Sequence, residues 1–475
     1  MRRSVTVIAS VVAAALLGGC AIGPDYQRPP VAQPATFRGQ ATGEAASLAD
    51  APWWEVFQDP TLKGLIQEAL RNNYDVGIAA ARVQEARANL RIARADRFPS
   101  LDYNATVGRA RLPLGGLNLP DNTDHRTDDV FIGTMSMAWE LDIWGRVRRS
   151  NEAARATLLA TEDARRAVWL TLVSDLARAY FELLALDVQL QISRDSTQAY
   201  QSTYDIFLDR FNVGTASRLE TSRALGALGG AQATVPQLES SIVARENEIS
   251  ILLGKEPGPI PRGQPMYAQP VVPAVPAGLP STLLERRPDV REAEQELVAA
   301  NARIGLAKAE FFPKLSLTAL FGAATPELSA FTGGGATVWA VAGMVSGPLF
   351  NAGRTTGQYR ASIAQWEQAR LRYQQSVLNA LREVSDALTA LAKLSDAETG
   401  QTTAVDALAE AVEHATNRYR QGLAGYYEVL EAQQQLYPAQ TRLAEIRRSR
   451  LTAYVDLYKA LGGGWRLRDE EWTRP

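Results

Sequence analysis

From Arg146 to Val213 the chain contains neither glycine nor proline and is rich in strong helix formers, which predicts one uninterrupted helix. At 1.5 Å per residue such a helix is on the order of 100 Å long, about three times the hydrocarbon thickness of a bilayer. No ordinary globular core accommodates an element of that length. Its apolar residues Leu172, Leu176, Ala179, Leu183, Leu186 and Leu190 step alternately by four and three, the heptad seam of a helix packed along its length against other helices. The same seam returns 208 residues later at Ala380, Val384, Ala387, Leu391 and Leu394, inside a proline-free stretch from Thr355 to Gln421. The long helix is therefore duplicated.

A chain of 475 residues would ordinarily divide into roughly two to four compact domains, but a duplicated long helix predicts one extended body built twice. The net charge is −2 and charges of both signs are interspersed, so there is no basic footprint for nucleic acid. Arg2 and Arg3 lead into an apolar run from Val5 to Leu17, too short to span a bilayer but suited to a secretory signal over residues 1–19. The run closes on Leu17-Gly18-Gly19-Cys20, which resembles the lipobox of bacterial lipoproteins. That resemblance implies acylation of Cys20, the single cysteine of the chain, and several acyl chains would hold the mature N-terminus at a membrane. The alternative is a free thiol after an ordinary signal. Ala21, not Asp, follows the cysteine, which resembles the outer-membrane sorting pattern of such lipoproteins.

Residues 20–60 contain Gly23-Pro24-Asp25-Tyr26-Gln27-Arg28-Pro29-Pro30 and a polar, small-residue stretch to about Asp50, and are expected to lie extended over other parts. A first repeat occupies residues 61–255. It opens with an amphipathic helix marked by Leu62, Leu65, Ile66 and Leu70, capped by Asp59 or Thr61. Helix resumes near Asp75 and stops at Phe98-Pro99, because proline cannot continue the ladder. The period then changes to two. Leu101, Tyr103, Ala105 and Val107 alternate with Asp102, Asn104, Thr106 and Gly108, and after a turn-rich loop from Pro113 to about Asp129 a second run places Phe131, Met135, Met137, Trp139, Leu141 and Ile143 opposite Thr134, Ser136, Glu140 and Asp142. Gly145-Arg146 opens the long helix, Gly214 suits its left-handed cap, and a returning helix reaches Leu253-Gly254, with a kink expected at Gly229-Gly230 and Pro236.

Eight prolines from Pro257 to Pro280 make residues 256–280 a semi-rigid linker. A second repeat, residues 281–465, then follows the first: Phe98-Pro99 matches Phe312-Pro313, Gly145-Arg146 matches Gly353-Arg354, and Gly214 matches Gly422. Its strands are marked by Leu315, Leu317, Ala319 and Phe321, then Trp339, Val341, Val345 and Leu349, against Ser316, Thr318 and Ser346. The last strand is apolar on both parities, so the pattern alone does not orient it. Residues 466–475 form a C-terminal tail. The fold class is thus mainly α with a small β part: long antiparallel coiled-coil helices and four strands long enough to cross a membrane if tilted.

Four strands cannot close a barrel, and an open edge in lipid strands backbone groups at several kcal/mol each. Strands that enter a membrane must therefore be shared among several chains. On their polar parity Asp102, Glu140 and Asp142 stand against Lys314, so a shared lumen is expected to favour cations.

The order of motifs, Gly23-Pro24-Asp25-Tyr26, Trp53-Trp54, Phe98-Pro99, Trp139-Glu140-Leu141-Asp142-Ile143-Trp144-Gly145, Leu284-Glu285-Arg286-Arg287-Pro288-Asp289-Val290, Pro348-Leu349-Phe350 and Arg418-Tyr419 with Gly422, resembles the TolC/OprM-type outer-membrane efflux proteins, in their NodT-like lipoprotein branch. The resemblance covers nearly the whole chain. It implies a homotrimer with a shared 12-stranded β-barrel in the outer membrane and a trimeric α-barrel reaching into the periplasm. Such a duct would be the exit of a tripartite efflux pump for small molecules such as drugs, joined through a periplasmic adaptor protein to an inner-membrane transporter. It also implies a gate at the periplasmic helix turns, near Gly214 and Gly422, with Tyr419 and Glu220 on gating positions. Ala424 stands where related chains carry a charge, which turns attention to Arg420, Arg218 and Glu428 as substitute partners.

An enzyme is not expected. His125 and His414 are the two histidines, neither has metal-ligand spacing to a partner, and no phosphate loop or nucleophile elbow is present; no cofactor or metal is anticipated. The competing class is a structural trimeric envelope lipoprotein without a conducting lumen. That reading leaves the polar strand parity without a purpose.

Overall fold

The computed structural model describes residues 21–32, 34–39, 47–111, 127–270, 277–278 and 280–472. The expected signal segment, Cys20 and His125 lie outside the described residues. Helix α1 is Pro60–Asn72 and α2 is Tyr74–Ala95; strands β1, Ser100–Arg111, and β2, Thr127–Leu141, precede α3, Arg146–Asn212, and α4, Arg218–Leu252. The second half supplies α5, Pro288–Ala309, β3, Lys314–Thr325, β4, Thr337–Ser346, α6, Arg354–Arg420, and α7, Tyr426–Ala460. The two long helices have 67 residues each and the two returning helices 35 each. The duplication is thus residue for residue from Arg146 onward, at the offset of 208 that separates Arg146 from Arg354.

Local chemistry explains the boundaries. The Asp59 carboxylate accepts from the Thr61 and Leu62 N–H groups and caps α1, with Pro60 at the first helical position. The helical pattern divides at Asn73, whose side-chain oxygen takes the Asp75 and Val76 N–H groups while its amide donates to the Leu252 carbonyl. α4 continues unbroken through the position of the expected kink. Gly229, Gly230 and Pro236 lie within one continuous helix, and α7 likewise carries Pro438 inside it. Pro236 and Gln232 are exposed, so water satisfies the carbonyl that the proline leaves without a donor.

The chain divides into two compact units, each drawn from both repeats. One comprises the residues through Pro29, Val83–Thr161 and Ala293–Tyr373 and contains the sheet; the other comprises Pro30–Arg82, Glu162–Glu292 and Gln374–Pro475. The core of the helical unit is formed by Trp53, Leu62, Ile66, Leu176, Tyr180, Leu183, Ile249, Leu253, Met266 and Tyr458, all fully buried. The seam residues Leu172, Leu176, Ala179 and Leu183 belong to this core, as a heptad stripe should.

The described part of the proline-rich linker is tied to that core. Asp59 is fully buried, and beyond capping α1 it accepts from the Tyr180 hydroxyl at 2.9 Å, the Gln264 N–H at 3.0 Å and the Gln269 amide at 2.7 Å. The Tyr180 hydroxyl in turn accepts from the Gly263 N–H at 2.8 Å. Any Cβ at Gly263 would collide with the Asp59 carboxylate, so only glycine lets the linker approach this closely.

In the sheet-bearing unit the four strands are antiparallel in the order β1-β2-β3-β4. Pairings such as Asp102 with Ser136, Glu140 with Ser316 and Ser316 with Met344 fix the parity across the sheet. They also orient β4: Trp339, Val341 and Val345 lie opposite Phe321, Ala319 and Leu315, on the apolar row. Leu349 lies beyond the end of β4.

Residues 22–28 lie along this unit as an extended strap. Ile22 donates to the Trp144 carbonyl, Asn301 donates to the Pro24 carbonyl, and the buried Arg149 guanidinium donates to the carbonyls of Ile22 and Gly23 and to Asp25. Tyr26 and Arg28 then both donate to Glu294.

Candidate functional site

Register divides the sheet into two unlike faces. The odd-numbered face carries Leu101, Tyr103, Val107, Met135, Phe321, Trp339, Val341 and Val345, all exposed, Tyr103 at 87% and Trp339 at 73%. Leaving one large apolar side chain in water forgoes roughly 1.5–3 kcal/mol, so a contiguous row of this kind needs a nonaqueous environment or a partner. The even-numbered face carries Asp102, Asn104, Thr106, Thr134, Ser136, Glu140, Lys314, Ser316 and Thr318, with Ala340, Ala342 and Met344 of β4 beside them. β1 and β4 each pair with one neighbour, so among the described residues each has one open edge.

The three carboxylates anticipated for the lumen occupy different situations. Asp102 is exposed on β1 and has no ion pair among the described residues. Glu140, near the end of β2, receives Arg146 in a two-pronged bond, Nε to Oε1 at 2.7 Å and Nη2 to Oε2 at 2.6 Å. Asp142 lies beyond the strand, which ends at Leu141. Its carboxylate accepts from the Val147 and Arg148 N–H groups at 2.9 Å each and pairs with the Arg148 guanidinium. It thus occupies two of the free N–H groups at the start of α3, where negative charge is favourable.

At the other end of the long helices, the turns between α3 and α4 and between α6 and α7 are built alike. Gly214 and Gly422 have φ of +78° and +75°. The Thr215 N–H returns to the Arg210 carbonyl and the Leu423 N–H to the Arg418 carbonyl, closing the helices in the left-handed manner that glycine permits. The structure brings together Tyr419, Tyr426 and Arg210: the Tyr419 ring meets Tyr426 edge-on at 4.7 Å, and Arg210 lies 5.0 Å over its face. Tyr426 is buried, with its hydroxyl 2.5 Å from Thr203 Oγ1. The Tyr419 ring is therefore fixed, while its hydroxyl has no hydrogen bond among the described residues.

The charged residues of these turns fall into two groups. Glu220 accepts from the Ser217 N–H at 2.6 Å while its own N–H donates to the Ser217 hydroxyl, a reciprocal cap on α4. The Ser217 backbone and hydroxyl bonds, with Arg210 nearby, hold the Glu220 carboxyl below the usual carboxylate range. Glu428 pairs with Arg418 at 3.4 Å. Arg218 and Arg420 are exposed and make no ion pair among the described residues. Arg210 is a participant that no sequence pattern marks, whereas Arg418 stands in the Arg418-Tyr419 motif and the Ser217-x-x-Glu220 spacing is a readable signal for the cap.

Among the described residues no cluster of acids, histidines or cysteines fits a metal ion, and no helix is long and apolar enough to cross a membrane. Membrane insertion through the sheet places no such demand on the helices.

Paired helices far longer than any globular core requires, together with a small sheet whose odd-numbered face is apolar and whose even-numbered face bears most of its polar residues, mark an envelope channel protein. The chain belongs to the outer membrane efflux protein family, whose sequence profile it matches over residues 65–255 and 279–463. It is 37% identical over 457 residues to the solvent efflux pump outer membrane protein SrpC of Pseudomonas putida, covering 95% of this chain and 96% of the relative. Among solved structures it is similar to CusC, with a TM-score of 0.82 at 33% identity, covering 94% of this chain and all of that one. It is likewise similar to the open state of the MtrE outer membrane channel of Neisseria gonorrhoeae, with a TM-score of 0.84 at 29% identity over 94% of this chain and 99% of that one. The chain is accordingly an outer-membrane channel of an efflux pump and not an enzyme.

Proposed function

We propose that three copies of the chain close one 12-stranded barrel in the outer membrane and continue into the periplasm as a helical tunnel. The duct is the exit of a tripartite pump for small molecules, coupled through a periplasmic adaptor to an inner-membrane transporter, and is anchored also by acyl chains on Cys20. The observation that carries this reading is the sheet itself: four strands with an exposed apolar face and two open edges. Lipid covers the apolar face, and pairing β1 of one copy with β4 of the next removes every edge. The helix turns at Gly214 and Gly422 form the resting gate, where Tyr419, Glu220, Arg218, Arg420 and Glu428 act between copies.

The full chain purified from outer membranes tests this reading in one preparation. Mass spectrometry of the mature N-terminus is expected to find acylated Cys20, and planar bilayers are expected to show discrete channels. Cys20→Ser protein should still assemble and conduct, since the barrel is an independent anchor. Assembled protein that never conducts would restore the lumenless structural lipoprotein; an unmodified mature N-terminus would remove the lipid anchor.

A further inference from the structure

We propose that Asp102 sets the charge selectivity at the helix-side end of the barrel, the other two charged groups on its face of the sheet, Glu140 and Lys314, being neutralised in pairs. The proposal rests on the shared barrel just described, with the even-numbered face turned to the lumen. At that end, where β1 and β3 begin and β2 and β4 finish, the described side chains of this face include three charges: Asp102, Glu140 and Lys314.

Two of the three are cancelled within the chain. Glu140 and Arg146 meet through two parallel bonds, and each side chain is only about a quarter exposed, at 25% and 24%. Such a fork is both strong and geometrically fixed. Lys314 Nζ lies 3.1 Å from the Glu310 carboxylate. Asp142, the next carboxylate along the chain, is off the strand and held by two N–H groups and Arg148. Asp102 differs from all of these. Its cross-strand partner is Ser136, its neighbours on the same face are Ser100 and Asn104, and no cation pairs with it among the described residues.

A paired carboxylate and guanidinium present a dipole to a passing ion, whereas an unpaired carboxylate presents a full charge acting over about one Debye length, ~10 Å in 0.1 M salt and ~3 Å in 1 M. Three copies of Asp102 form a ring of uncompensated negative charge at one level of the pore. Cations are concentrated there and anions depleted.

Reversal potentials of the full-length protein in planar bilayers under a KCl gradient test the assignment. The wild type is expected to favour K⁺ in dilute salt and to lose that preference as salt approaches about 1 M. Asp102→Asn should bring the cation-to-anion permeability ratio close to unity, and Asp102→Lys should invert it. Replacing Glu140 and Arg146 together with glutamine removes a neutral pair and should leave the ratio as in the wild type. Unchanged selectivity in conducting Asp102→Asn channels overturns the proposal, as does loss of selectivity in the paired glutamine variant. Wild-type protein that fails to conduct at all removes the barrel reading and the proposal with it, a failure distinct from a conducting channel with the wrong selectivity.

Discussion

Tyr419→Phe combined with Glu220→Ala is expected to raise the conductance of the resting channel and to sensitise cells to large antibiotics that do not normally cross the outer membrane. The Tyr419 ring is locked between Tyr426 and Arg210, so its hydroxyl is held at a fixed place and is free to bond to a neighbouring copy. Among the described residues Arg218 and Arg420 are similarly unengaged, whereas Glu220 and Glu428 are partly committed to Ser217 and Arg418. A charged hydrogen bond contributes roughly 1.5–3 kcal/mol. Threefold repetition multiplies that, and each 1.4 kcal/mol or so moves the balance of closed to open about tenfold. Glu220→Ala also removes one of the two bonds of the reciprocal cap of α4, worth about 0.5–1.5 kcal/mol, and leaves the one to the Ser217 hydroxyl. Glu220→Gln separates the two effects, because glutamine serves in a capping box but carries no charge. Wild-type conductance and antibiotic sensitivity in the double variant, with normal assembly, would show that these residues do not hold the gate.

Asp59→Ala is expected to destabilise the helical unit by roughly 3 kcal/mol or more. Alanine removes a helix cap, about 0.5–2 kcal/mol, and leaves the Tyr180 hydroxyl, the Gln264 N–H and the Gln269 amide without their acceptor. Each buried donor so orphaned costs about 1–3 kcal/mol. Because Tyr180, Gln264 and Gln269 lie 121, 205 and 210 residues from Asp59, the loss should also release the described linker, residues 256–270, to protease before the rest of the chain. Tyr180→Phe removes one donor to Asp59 and the acceptor of the Gly263 N–H, leaves the other bonds of Asp59 in place, and should cost less. A melting temperature and a cleavage pattern unchanged in Asp59→Ala would mean that the carboxylate is not the anchor of the linker.

What the sequence made legible is what repeats or alternates. The seam from Leu172 to Leu190, the changes of period at Pro99 and Pro313, and the doubled glycine turns at Gly214 and Gly422 all mark local backbone preferences, and these elements stand where they were expected. Side-chain partnerships are another matter. Parity puts Glu140 on the polar face but says nothing of Arg146, six residues on, folding back to cancel it. Asp142 continued the alternation on paper, yet the strand ends one residue earlier, where the free N–H groups of α3 offer the carboxylate a better partner. In β4 both parities are apolar, and only pairing with β3 decides between them. The strap from Ile22 to Arg28 has no periodicity at all. Its seat on Arg149, Asn301 and Glu294 is made by residues more than a hundred positions away.

The mass of the intact complex, extracted gently and measured under native conditions on the same preparation that conducts in bilayers, tests the shared barrel most directly. Three chains per conducting particle are predicted, because three four-stranded sheets close the 12-stranded ring without leaving an edge in lipid. A single chain or a pair of chains that conducts would contradict it.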